Sequence, residues 1–234
     1  VIANAGGVTP SACRDALVAA AQAEGVDLKI AAVLGDDLMP QVEAMRAAGT
    51  TEMFSGAAFP AKLMSANAYL GAFPIAAALA AGADIVVTGR CTDAAVVCGP
   101  AAWHHGWKRS DWNALAGAVA AGHVIECGCQ ATGGNYSFFT EIRDLTRAGF
   151  PWAEIARDGS CVIGKHDATG GEVSIGTVTS QLLYEIAGPQ YLGPDVTTRF
   201  DTIQLEQLAP DRVRLHGAQG EPPPPTLKVC LNRH

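Results

Sequence analysis

The stretch ADIVVTGRCTD (83–93) constrains the fold more than any other part of the chain. Its residues Asp84–Val87 read as a short strand buried on both faces, as strands of a parallel sheet are. Arg90, Cys91 and Asp93 then emerge where that strand leaves the core. A second run of the same kind, LKIAAVLG (28–35), ends on the acidic pair Asp36–Asp37, and Val1–Ala3 read as the end of a third, leaving through the turn NAGG.

Helix signals fill the intervals. Thr9 and Pro10 mark a helix start and Gly25 its end. Pro40 opens a short helix that stops at Gly49. Asn67 is read as the cap of a third, bent at Pro74 and ended by Gly82, and Asp93 as the cap of a fourth, broken at Pro100. Ser110 or Asp111 caps a fifth, which reaches Ala121. This alternation predicts an α/β fold: a mostly parallel sheet flanked by helices in Rossmann-like layers. Further on, HVIECG (123–128) and SCVIGK (160–165) read as strands, and Ile175, Val178, Leu182 and Ile186 have helical spacing. After about residue 190 the pattern changes to strict alternation. Ile203 and Leu205, a turn at APDR, then Val213 and Leu215 describe an antiparallel hairpin. Pro222–Pro225 read as a polyproline spacer before a last strand, Leu227–Leu231. The expected division is an α/β domain over 1–190 and a β-hairpin and polyproline extension over 191–234. The opening strand without Met and the abrupt ending CLNRH predict that the piece is cut from a longer protein.

Charge narrows the partners. The chain carries a net charge of −7 with 17% charged residues, which disfavours nucleic acid and anionic membrane surfaces, both of which require basic patches. No apolar run reaches the 18 or more residues of a membrane span, and no signal peptide is evident. Seven cysteines, an odd number scattered through apolar stretches, fit reduced thiols and predict a cytoplasmic protein. Alanine-rich helices and a separate hairpin suit a homo-oligomer.

In open parallel sheets ligands bind beyond the carboxyl ends of the strands. The candidates there are Asn4, Gly6 and Gly7, then Thr88, Gly89, Arg90 and Asp93; a simple loop-holding ion pair is the structural alternative for Arg90 and Asp93. Two further stretches carry a TGG turn beside ionisable groups, ECGCQATGGN (126–135) and GKHDATGGEVSIGT (164–177). Glycines ahead of a helix let backbone N–H groups approach an anion. Thr132, Gly133, Gly134 and Asn135, with Thr169, Gly170 and Gly171, are therefore candidates for gripping a phosphate or carboxylate. Neither stretch is a P-loop, and no strict G-x-G-x-x-G is present, which weakens nucleotide binding. For acid–base chemistry the candidates are Glu126, Lys165, His166 and Glu172. His123, Cys127 and Cys129, with His104 and His105, offer metal-ligand types but not paired C-x₂₋₄-C spacing, so no metal is predicted. No nucleophile elbow is present, and Cys91 beside Arg90 is the one thiol in an electropositive setting.

Four blocks in order, ANAYLGAFPIAAALAAGADIVVTGRCTDAAVVCGP, DWNALAGAVAAGHVIECGCQATGGNY, DGSCVIGKHDATGGEVSIGTVTSQLLYEI and PPTLKV, resemble the AtuA family of acyclic terpene utilisation proteins over nearly the whole chain. The resemblance implies a role in the bacterial breakdown of citronellol- and geraniol-type acids through their coenzyme A esters, with a lyase or hydratase type of step on a branched acyl-CoA. The coenzyme A moiety of such a substrate is the implied ligand. Arg90 and Lys165 are then expected to neutralise its negative charge, and Glu126 or His166 to move the proton. The competing reading is a non-catalytic binding or assembly subunit of a catabolic complex.

Overall fold

The computed structural model of the chain describes residues 1–233. Two compact units divide them. The first unit opens with β1 (Ile2–Ala3), α1 (Pro10–Ala23), β2 (Ile30–Val33), α2 (Val42–Ala47), β3 (Ser65–Ala68), α3 (Phe73–Ala80) and β4 (Ile85–Thr88). The second unit, Asp93–Pro225, begins with α4 (Ala95–His105), α5 (Trp112–Ile125), β5 (Pro151–Ile155), β6 (Cys161–Lys165) and α6 (Ile175–Leu183). It continues through β7 (Gln190–Leu192), β8 (Thr197–Arg199), β9 (Gln204–Ala209), β10 (Arg212–His216) and β11 (Gln219–Glu221). A last strand, β12 (Val229–Asn232), returns to the first unit.

The apolar run IVVT does become a buried strand. β4 is the centre of a parallel sheet in the order β1–β4–β2, with Val86 opposite both Ile2 and Ala31. Val86 and Val87 are fully buried, and α1 and α3 pack against this sheet. A separate antiparallel pair, β12 with β3, runs from Val229 opposite Ala68 to Asn232 opposite Ser65.

Among the described residues, parallel pairing between strands goes no further, apart from the isolated bridges Leu70–Cys91 and Ala148–Gly170, and this corrects the predicted mostly parallel, Rossmann-like sheet. The second unit contains two antiparallel sheets, β5–β6–β10–β9 and β11–β8–β7. The reason lies in the connections. Parallel neighbours need a crossover of a dozen or more residues, whereas only residues 156–160 separate β5 from β6 and only Pro210–Asp211 separate β9 from β10. Links that short can only reverse the chain.

Three local assignments also change. Asn67 lies in β3 and caps no helix, Pro100 sits inside α4 without breaking it, and HVI of HVIECG is the last turn of α5. Helix α5 is buried from Ala114 to Val124, the all-round burial of a core helix. Its small residues permit this. A Cβ at Gly117 would fall on the backbone carbonyl of Gly159, so only glycine lets that turn seat against the helix. The core of the second unit gathers Ala120, Ala121 and Val124 of α5 with Ile163, Val178, Val213 and Leu215.

Candidate functional site

The carboxyl ends of β1, β2 and β4 carry the first group of polar residues. Asp36, just beyond β2, is 2% exposed. Its Oδ2 accepts from Asn67 Nδ2 at 3.0 Å and from the Arg90 backbone N–H at 2.8 Å, which stabilises a buried carboxylate. A side chain at Gly89 would occupy the position of that carboxylate, so glycine is a packing requirement there. Thr88 Oγ1 donates to the Gly89 carbonyl at 2.9 Å and lies 3.4 Å from Cys91 Sγ. Gly6 N–H donates to the Thr88 carbonyl at 3.1 Å, tying the NAGG turn to β4, while Asn4 and Gly7 are exposed. Arg90 Nε donates to the Cys91 carbonyl at 3.0 Å, and its guanidinium lies 5.2 Å from the centre of the Tyr69 ring. Asp93, exposed, belongs to the second unit and precedes Ala94, the N-cap of α4.

In the second unit the two TGG turns meet. Glu172 N–H donates to the Thr132 carbonyl at 2.9 Å, and Gly171, at φ +74°, packs its Cα against Thr132. Thr132 Oγ1 donates to the Gly149 carbonyl at 2.8 Å. The backbone N–H groups of Gly133, Gly134 and Asn135 donate to Gln130 and Cys129 carbonyls, and those of Gly170 and Gly171 to Arg147 and Arg143. The turns thus form a main-chain junction whose amides are used within the chain. Lys165, 8% exposed, is 3.1 Å from Asp211 Oδ2 and donates to the Thr169 carbonyl at 3.0 Å. His166 and Glu172 are exposed, and the His166 carbonyl accepts from Thr169 Oγ1 at 2.6 Å.

Glu126 stands in a different setting. Helix α5 ends at Ile125, and one helical turn brings Glu126 Oε1 to 3.3 Å from His123 Nδ1. That is ion-pair reach without hydrogen-bonding geometry: both ring nitrogens of His123, Glu126 Oε2 and Gln130 Oε1 are buried with no hydrogen-bond partner. The His123 ring is nearly wholly buried, with the rings of Tyr191 and Phe200 at 5.7 and 5.5 Å, while 12% of the Glu126 side chain reaches the surface. Gln181, fully buried, places its Oε1 3.4 Å from Asn135 Nδ2 and its Nε2 3.5 Å from the His123 carbonyl. Cys127 next to the pair has its thiol pushed up, first by burial and then by the Glu126 charge.

Orphaned buried polar atoms are uncommon, and each calls for a partner such as a water, an ion or a ligand group. The sequence singled out Glu126 but weighed His123 only as a metal ligand, because helical spacing of the two depends on residues 123–125 being helix. Asp36 was visible as an acid beyond a strand, whereas its partner Asn67 was hidden by the helix assignment. Among the described residues no group of three or more His, Cys, Asp or Glu is arranged to hold a metal ion, and no helix is long and apolar enough to cross a membrane.

The family described as acyclic terpene utilisation family protein AtuA matches residues 1–234. No curated protein and no solved structure matches the chain.

Proposed function

The chain belongs to the AtuA family of acyclic terpene utilisation proteins, and from that premise we propose that it is an enzyme acting on a branched acyl-CoA ester in a lyase or hydratase type of step. The observation that carries the proposal is the His123–Glu126 pair, 3.3 Å apart, buried, and with Glu126 Oε2 and both imidazole nitrogens unpartnered.

Both reaction types need a group that takes or gives a proton beside a carbonyl compound. In a cleavage, Glu126 removes the hydroxyl proton of the substrate. The oxygen becomes a carbonyl, the carbon–carbon bond breaks, and its electron pair passes into the enolate of the departing ester, which is then protonated. In a hydration, Glu126 takes a proton from water as the oxygen adds to the double bond, whose electron pair passes into the enolate of the ester; the proton is then returned to the α-carbon. His123 Nδ1 lies 3.3 Å from the carboxylate, within ion-pair reach of it. Tyr191 and Phe200 supply an apolar wall against the His123 ring, while the Glu126 carboxylate keeps a narrow opening to the surface.

Weight falls on Glu126 rather than on Lys165 or His166. Lys165 is held by Asp211 and Thr169, and His166 is exposed. The test is turnover of branched hydroxyacyl- and enoyl-CoA esters by the purified protein, alongside Glu126→Gln and His123→Asn. Loss of about 10²–10⁴ in kcat for Glu126→Gln, with the fold intact by circular dichroism, is expected for a general base. Undiminished activity in both variants refutes the assignment. If no ester is turned over and none raises the melting temperature, the protein is instead a binding or assembly subunit.

A further inference from the structure

The second unit contains a cavity of about 490 Å³ at the end of α5 opposite the His123–Glu126 pair. From Asp111 to His123 the helix rises about 18 Å, so the two places are separate. The walls come from the end of α4, the residues entering α5 and the turn between β5 and β6: His105, Trp107, Asp111, Trp112, Arg157 and Asp158 among them. Side chains lock these segments together. His105 Nε2 donates to the Ile155 carbonyl at 3.0 Å, and Trp107 Nε1 to the Arg157 carbonyl at 2.9 Å. The His105 and Trp107 rings stack with their centres 5.1 Å apart. Gly159, at φ +86°, lets the turn close on Ala114, whose Cα would lie 2.6 Å from a Cβ at that position. The cavity is therefore preformed, and its size falls within the range of about 300–1,000 Å³ usual for small-molecule sites.

Charges of both signs line this cavity without neutralising one another. Among the described residues Arg157 forms no ion pair with Asp111 or Asp158, and Trp107 uses its carbonyl, not its guanidinium. Asp111 Oδ2 accepts from Lys108 N–H at 2.7 Å, and Asp158 Oδ1 from Ser160 N–H and Oγ at 3.0 and 2.7 Å. The second oxygen of each carboxylate is left over. A simple anion entering here meets two carboxylates, and a simple cation meets the guanidinium. A molecule that carries both charges can set each against its opposite. Arginine adds a planar fork that grips a carboxylate through two parallel hydrogen bonds. The half-buried rings of His105 and Trp112 offer apolar surface for the rest of such a molecule.

We propose that this cavity binds a small zwitterion, a free α-amino acid with an apolar side chain. Its carboxylate meets Arg157, its ammonium meets Asp111 and Asp158, and its side chain packs on Trp112. The site shares no residue with the acid–base pair, so binding is read without turnover.

Calorimetric titration of the full chain with L-phenylalanine tests it, alongside phenylpropanoate, which lacks the ammonium, and phenethylamine, which lacks the carboxylate. One equivalent of L-phenylalanine is expected to bind, about tenfold or more tighter than either analogue. Arg157→Ala, with the fold intact by circular dichroism, is expected to weaken L-phenylalanine about tenfold and to leave phenethylamine unchanged. Asp158→Asn, which keeps an acceptor for Ser160, is expected to weaken L-phenylalanine and not phenylpropanoate. Lys62→Ala, in the other unit, leaves all three unchanged. Absence of saturable binding, equal affinity for either analogue, or wild-type affinity in Arg157→Ala overturns the proposal.

Discussion

Gly89 and Asp36 illustrate how a single residue decides a local arrangement. The carboxylate of Asp36 occupies the space that any side chain at position 89 would need, and in that place it holds both Asn67 and the Arg90 backbone. Gly89→Ala must displace a buried, hydrogen-bonded carboxylate. The variant is expected to lose about 2–3 kcal/mol of stability, measured by urea unfolding, and a loss below about 0.5 kcal/mol contradicts this account. Some of this was legible beforehand. Arg90 stood out because a charge leaving an apolar run has few structural uses, and Glu126 because it flanks thiols and glycines. The partners of Arg90 and Asp36 were not legible: Asn67 lies in β3 and Tyr69 directly follows it, and nothing local in SANAY announces a meeting with Asp36 or Arg90.

At the scale of elements, periodicity was informative where one face is wet and silent where all faces are buried. Helix α6 was readable from Ile175, Val178 and Leu182, and it begins with a reciprocal cap in which Ser174 Oγ accepts from Thr177 N–H and Thr177 Oγ1 from Ser174 N–H. Ser174→Ala is expected to cost about 1 kcal/mol, seen as a lower urea midpoint with an unchanged slope. The end of α5 was misread because HVI, surrounded by protein, carries no alternation of polar and apolar positions by which helix and strand differ. Strand β3 was misread for another reason. Four residues of SANA have no strong preference, and pairing with β12 makes them a strand.

For the whole molecule, two buried thiols set the behaviour at high pH. Burial pushes Cys161 up from 9.0 to about 12, and burial together with the nearby Asp195 charge pushes Cys98 up as well. A raised folded-state value means that the stabilisation is complete below the unfolded value of 9.0 and is lost as pH climbs towards about 12. Stability is therefore expected to fall across pH 9–12 more steeply in the wild type than in Cys161→Ala, by up to about 1.4 kcal/mol per pH unit, read from urea unfolding at successive pH values. Equal slopes contradict it. By itself the amino-acid order determined the family, the parallel strands β1, β2 and β4, the β9–β10 hairpin and most helices, because each is written in short-range spacing and turn chemistry. Tertiary structure alone decided that the second unit is built from antiparallel sheets, that β12 pairs with β3, and that His123 faces Glu126 among aromatic rings. Those outcomes rest on contacts between residues far apart in the chain, whose free energy is gained only once the intervening segments have packed.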